Sequence, residues 1–126
     1  MVKNTKIFCE DLTSTDFTPQ TTKYECSING LGTKGIFYIQ ASASLTTEGN
    51  DSATCTYEIK GQMINGEEAL IYPINILTGE RVAEDSTPVQ SEIYAIDNLA
   101  AYDKIYVYPM TISANTKVTI SGKIVN

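Results

Sequence analysis

The chain has 126 residues, with 9 Lys or Arg against 15 Asp or Glu, a formal net charge of −6, 42% apolar residues and neither His nor Trp. That length supports one domain, 1–126, with a core of its own and no second one. Without His there is no Ser-His-Asp or Cys-His catalysis and no His-based zinc site, and the scattered cations leave no basic footprint for direct nucleic-acid binding.

The N-terminal Met1-Val2-Lys3-Asn4-Thr5-Lys6-Ile7-Phe8-Cys9 lacks the apolar run of a signal peptide. No apolar stretch approaches the ~20 residues of a membrane span, so no membrane partner is expected. Thr22 to Ile28 then alternates, with Tyr24, Cys26 and Ile28 on one face and Lys23, Glu25 and Ser27 on the other. That is the period of a half-buried strand. Asn29-Gly30-Leu31-Gly32 reads as a turn. Gly35 to Ser44 is a second strand, with Phe37, Ile39, Ala41 and Ala43 on its inner face and Ile36, Tyr38, Gln40 and Ser42 outside. Glu48-Gly49-Asn50-Asp51 breaks it as a hairpin or short loop.

Ala53 to Ile64 is the clearest strand of the first half, with Cys55, Tyr57, Ile59, Gly61 and Met63 on one side. Asn65-Gly66 predicts a tight hairpin, because both residues tolerate positive φ. Ala69 to Leu77 is apolar on both faces and is expected to be a central or doubly covered strand. Pro73 within it removes a ladder donor and is expected at a bulge or facing away from a neighbour. Thr78-Gly79-Glu80 is a turn, and Arg81 to Val89 reads as a loop. Gln90 to Ile96 is a strand, and Asp97 to Asp103 holds the one short helical turn. Lys104 to Met110 and Lys117 to Val125 are expected to close a hairpin across Ser113-Ala114-Asn115. About eight strands at this spacing predict an all-β, antiparallel β-sandwich, jelly-roll-like, with at most one short helical turn.

Tyr57 to Asn65 can be laid on Val118 to Asn126, with Gly61 and Gly122 at the same inward step. Coincidence and a pair of equivalent strands in facing sheets both fit. Cys9, Cys26 and Cys55 are an odd set without a Cys-x-x-Cys pair. Free, buried thiols are the plain expectation, and a Cys9–Cys26 disulfide is the alternative.

No carboxylate pair is singled out as catalytic. Glu67-Glu68, Glu84-Asp85, Glu48 with Asp51, and Asp97 with Asp103 all read as loop charges. Asp97, Asn98 and Asp103 match no calcium-loop spacing. Asn50-Asp51-Ser52 fits the N-glycosylation pattern by chance. Neither cofactor nor metal is expected. The eight tyrosines are more distinctive. Tyr106 and Tyr108 share one face of a strand, and Tyr72 lies on another. Tyr joins an apolar body to a polar tip and is enriched at interfaces, so Tyr72, Tyr106 and Tyr108 are the expected contact residues.

Ile93 to Val107 and Ser121-Gly122-Lys123 resemble a module of tailed-bacteriophage virion proteins. In that module a strand leads into a short Asp-x-x-x-x-Tyr-Asp-Lys turn, then a strand, then a hairpin ending in Val-Thr-Ile-Ser-Gly. Those residues stand here at Asp97, Tyr102-Asp103-Lys104 and Val118 to Gly122. The resemblance covers about a quarter of the chain. It implies a non-enzymatic capsid decoration (auxiliary) or head-fibre protein. Such a protein is made in the host cytoplasm and sits on the capsid surface. Its partners would be the major capsid protein or neighbouring virion subunits, a homo-oligomer being one permitted assembly. A carbohydrate-binding or adhesin module is the alternative, and a two-carboxylate hydrolase using Glu67, Glu68, Glu84 or Asp85 is a third.

Overall fold

The computed structural model describes residues 3–28, 36–46, 52–83 and 88–125. The turn at residues 29–32, the loop at 48–51, the glycosylation pattern at 50–52 (save Ser52) and the pair Glu84-Asp85 lie outside them. The elements are β1 (Lys3–Leu12), β2 (Tyr24–Ser27), β3 (Ile36–Leu45), β4 (Cys55–Gln62), β5 (Glu68–Leu70), β6 (Ile74–Asn75), β7 (Ile93–Ile96), β8 (Lys104–Ile112) and β9 (Thr116–Val125). One 3-10 turn, Leu99–Ala101, precedes β8. The strands form two antiparallel sheets, a five-stranded sheet I ordered β1-β9-β3-β7-β6 and a four-stranded sheet II ordered β2-β8-β4-β5. This is the all-β sandwich that the alternation predicts. No helix among the described residues is long and apolar enough to cross a membrane.

The period-two pattern sets which face each strand buries. Phe37, Ile39 and Ala41 of β3 meet Val118, Ile120 and Ile124 of β9 in sheet I. Cys55, Tyr57 and Ile59 of β4 and Ile105 and Val107 of β8 supply the inner face of sheet II. All of these are at most 4% exposed. Together they make one core between the sheets.

Three local expectations are corrected. The first concerns β8 and β9, which do not pair as a hairpin; β8 belongs to sheet II and β9 to sheet I. The turn between them carries the chain across the sandwich. Asn115 adopts φ +56° there, and the backbone N–H groups of Ser113 and Thr46 donate to Thr54 and Asn115 carbonyls. The second concerns Ala69–Leu77, which is not a central strand. It splits into β5, an edge of sheet II, and β6, an edge of sheet I, with Ile71, Tyr72 and Pro73 crossing between them. Pro73 therefore needs no ladder partner, and Leu77 is 78% exposed.

The third is β1, a strand that the alternation does not announce. Its pairing with β9 shifts register between Ile7 and Cys9 and again between Cys9 and Leu12. Phe8 and Cys9 both turn inward, and Asp11 has φ +52°. Bulges of this kind break the two-residue period. The turns at Asn65-Gly66 and Thr78-Gly79 form where expected, with Gly66 at φ +88° and Gly79 at φ +71°, although Asn65 itself does not take a positive φ.

The echo between the strands has a structural counterpart. β4 and β9 lie in facing sheets, and the inward glycine of each is roofed by an aromatic ring. A Cβ at Gly61 would stand 2.6 Å from Tyr102 Cγ, and one at Gly122 would stand 2.7 Å from Phe37 Cζ. Neither position has room for a side chain.

Candidate functional site

The expected contact residues divide between two places. Tyr106 and Tyr108 lie on the outer face of sheet II, because Ile105 and Val107 of the same strand point inward. Their rings meet edge-on, with centroids 6.5 Å apart. Tyr72 lies half-buried on the crossover between β5 and β6, where its carbonyl accepts a hydrogen bond from Arg81 Nη1 at 2.7 Å. Among the described residues Tyr72 joins no ring pair with Tyr106 or Tyr108.

Although they point outward, Tyr106 and Tyr108 are only 4% and 6% exposed. Two lysines cover them. Lys23 Nζ sits 4.4 Å from the Tyr106 centroid, and Lys60 Nζ sits 4.7 Å from that of Tyr108. Lys60 arrives through the sheet register, directly opposite Tyr106 on β4. Lys23 arrives from the residue before β2 and also pairs with Glu68 Oε2 at 2.9 Å. The Tyr108 hydroxyl donates to the other oxygen of the same carboxylate. Lys104 and Glu25 extend the cluster with an ion pair at 3.1 Å. Each ring face is thus occupied by a cation of the same chain, a contact worth about 0.5–1 kcal/mol at an exposed site. Sugar stacking needs an open ring plane, and these two tyrosines do not present one.

The cluster also fixes protonation states. Burial raises the Tyr108 phenol, and its bond to the Glu68 carboxylate raises it further, to about 12. Burial pushes the Glu68 carboxyl up, but the bonds from Tyr108 and Lys23 outweigh that and hold it below its usual value. Both of its oxygens are committed to internal partners. Such a group anchors β5 to β8 and to the segment before β2; it is ill placed to exchange protons with a substrate. Its neighbour Glu67 shapes the hairpin, its N–H donating to Asn65 Oδ1 at 3.0 Å.

Of the two carboxylates that bracket the 3-10 turn, Asp97 is similarly engaged, while Asp103 takes part through its backbone carbonyl. Arg81 grips both oxygens of Asp97, at 3.3 and 2.8 Å, and holds that carboxyl below its usual range. The Asp103 carbonyl accepts from the Ile28 N–H at 2.9 Å. Among the described residues no three carboxylate or cysteine side chains gather as a metal site would require. Cys9, Cys26 and Cys55 are free and buried, and burial pushes the Cys55 thiol up to about 11.

A polar seam closes the sandwich between β4 and β7. The Tyr94 hydroxyl donates to Glu92 Oε2 at 2.5 Å and accepts from the Val89 N–H at 3.2 Å. Gln90 Nε2 donates to the Ala53 carbonyl. The Tyr57 hydroxyl and Gln90 Oε1 are buried without a partner among the described residues. Sequence reading did not find this seam or the lysine cover. The alternation of Glu58, Lys60 and Gln62 placed Lys60 outside, but only the β4–β8 pairing sets it against a tyrosine.

No family model matches the sequence, and no curated protein matches it. Two solved structures share the fold. The SPBc2 prophage-derived protein YomS superposes with a TM-score of 0.71 at 18% identity, covering 99% of this chain and 94% of that one. PBSX exported protein XepA superposes with a TM-score of 0.72 at 11% identity, covering 99% of this chain and 38% of that one. The chain therefore spans well under half of XepA and nearly all of YomS.

Proposed function

We propose that this chain is a non-enzymatic structural protein of a phage particle, an auxiliary (decoration) protein that binds neighbouring capsid subunits. The observation that carries the reading is the shared architecture with the prophage-derived YomS over nearly the full length of both chains. The virion-type module between Ile93 and Lys123 points the same way, independently of that superposition. The chemistry is compatible. Of the candidate carboxylates, Glu68 is bound by Lys23 and Tyr108, and Asp97 by Arg81. XepA is an exported protein, which is consistent with a place outside the host cytoplasm after release. Fold alone does not fix function, so the test must be binding.

The experiment is co-sedimentation with purified particles of the phage that carries this gene, prepared from a deletion strain. Saturable recovery of added protein with the particles, at micromolar concentration, is the expected result. Protein that remains in the supernatant at that concentration would refute the reading.

The glycan-binding alternative loses its two best residues, since Tyr106 and Tyr108 are sealed beneath lysines.

A further inference from the structure

The two outer sheet faces are built differently, and the difference identifies a docking surface. On sheet II every described lysine is engaged within the chain: Lys23 with Glu68 and Tyr106, Lys60 with Tyr108, Lys104 with Glu25. On the outer face of sheet I the described lysines Lys117 and Lys123 form no ion pair and no ring contact among the described residues; Lys6, opposite the inward Gly122, lies on the other side of β1. No carboxylate stands at the outward positions of β3, β7 and β9. Edge strand β1 carries exposed Glu10 and Asp11 at its far end, with the Asp11 N–H bonded to Thr119 Oγ1, so in a chain of net charge −6 it is the part of the face around Ile7, Ile93 and Lys123 that is apolar and cationic.

The register arranges it in rows. One cross-strand row runs Ile7, Ser121, Gln40, Ile93, and the Ile76 N–H continues it by donating to the Ile93 carbonyl. The next row runs Thr5, Lys123, Tyr38, Ala95, Ile74. Ile7 is 56% exposed, Ile76 45% and Ile93 39%. Between these rows lies a shallow concavity of about 400 Å³, floored by Tyr38, Gln40 and Ser121, with Ile7 and Ile93 at opposite sides and Lys123 on its rim. Large aliphatic side chains gathered on one sheet face mark a surface that binds something.

We infer that the outer face of sheet I is the surface by which this chain docks onto an acidic protein surface with an apolar centre. The inference rests on the reading of the chain as a virion auxiliary protein, which supplies a neighbouring subunit as the partner. Apolar residues of the partner fill the concavity between Ile7 and Ile93, and its carboxylates meet Lys123 and Lys117, the lysines to which the chain offers no partner of its own. Charge complementarity decides the sign: a basic partner would meet uncompensated lysines. Edge strand β1 contributes Ile7 and Thr5 to the face, and its bulges keep it from acting as a simple strand template.

The test is an NMR titration of the labelled full chain with a soluble hexapeptide of alternating leucine and glutamate, and with its leucine–lysine counterpart. The acidic peptide is expected to shift amides of residues 5–7, 38–40, 93–95 and 121–123, with a Kd below about 1 mM. Ile93→Glu and Lys123→Glu, each checked for fold by circular dichroism, are expected to weaken it at least tenfold. Glu58→Lys on sheet II should leave it unchanged. Equal binding of the lysine peptide, shifts confined to sheet II, or no shift at millimolar peptide would overturn the assignment. So would occupation of the face by a second copy on concentration, or by phosphatidylserine vesicles, with no response to the acidic peptide. The particle assay separates the two claims. Particles that bind Ile93→Glu and Lys123→Glu as well as wild type keep the function and discard the face. Particles that bind neither wild type nor variants, with the peptide result intact, keep the face and discard the function.

Discussion

Replacing Gly122 by Ala puts a methyl group into the Phe37 ring. The added Cβ would lie 2.7 Å from Phe37 Cζ and 3.1 Å from Phe8 Cε2, so something must move. Phe37 is 1% exposed and packs against Phe8 with ring centroids 6.1 Å apart, so it cannot swing into solvent. Overpacking of a closed core costs about 1–3 kcal/mol. Against it stands a gain of about 0.4–1 kcal/mol from restricting the unfolded chain when Gly becomes Ala. The net loss is about 1–2 kcal/mol, or ~3–10 °C in Tm for a domain of this size. Phe37→Leu alone should cost about 1–2 kcal/mol through lost packing. In the double variant the ring atoms that clash are gone. The two changes should therefore be less than additive, with a coupling of about 1 kcal/mol or more in urea denaturation. A Gly122→Ala protein with wild-type Tm, or strict additivity in the cycle, would refute the packing argument.

Three further outcomes follow from the same structure. Tyr57→Phe removes a hydroxyl buried without a partner among the described residues, so urea denaturation should show stability unchanged or raised by up to about 1 kcal/mol; a loss above 1 kcal/mol would reveal a bond partner. Cys9, Cys26 and Cys55 are buried and burial raises each thiol, so alkylation near neutral pH should be slow in native protein and fast in denaturant; rapid native labelling at any of them contradicts that burial. The folded Glu68 carboxyl sits below its unfolded value, near 4.5; its contribution is present above that pH and is lost as pH falls through the folded value, so Glu68→Gln should shrink the stability loss between about pH 5 and pH 3, and an unchanged acid limb would contradict the Lys23–Glu68–Tyr108 cluster.

Much of the fold was legible because period-two alternation is a local property. Phe37, Ile39 and Ala41, or Cys55, Tyr57 and Ile59, declare a buried face whatever strand they pair with. What alternation does not carry is the partner. Ser113-Ala114-Asn115 turns the chain equally well in a hairpin or in a crossing between sheets. The outcome depends on whether β9 finds β8 or β3, about 80 residues away in sequence. The run from Ala69 to Leu77 looked central because both faces were apolar; in fact Pro73 marks where the chain leaves one sheet for the other. β1 was hidden by its own bulges, which turn Phe8 and Cys9 to the same side.

The candidate site was legible to a lesser degree, for a related reason. Tyr106 and Tyr108 do share a face, as their spacing says. Their closure depends on Lys23 and Glu68, which stand far from β8 in sequence and reach it through tertiary contacts alone. The exposed row on sheet I joins Ile7, Gln40, Ile93 and Ser121 from four strands, and no single window of the sequence contains it.

The most direct test of the central claim is a lysine acetylation footprint of the chain, free and bound to its phage particles. The account predicts that Lys123 and Lys117 lose reactivity on the particle, while Lys60 and Lys104 on the opposite face react as they do in the free protein. Unchanged labelling of Lys123 and Lys117, with new protection at Lys60 and Lys104, would contradict it.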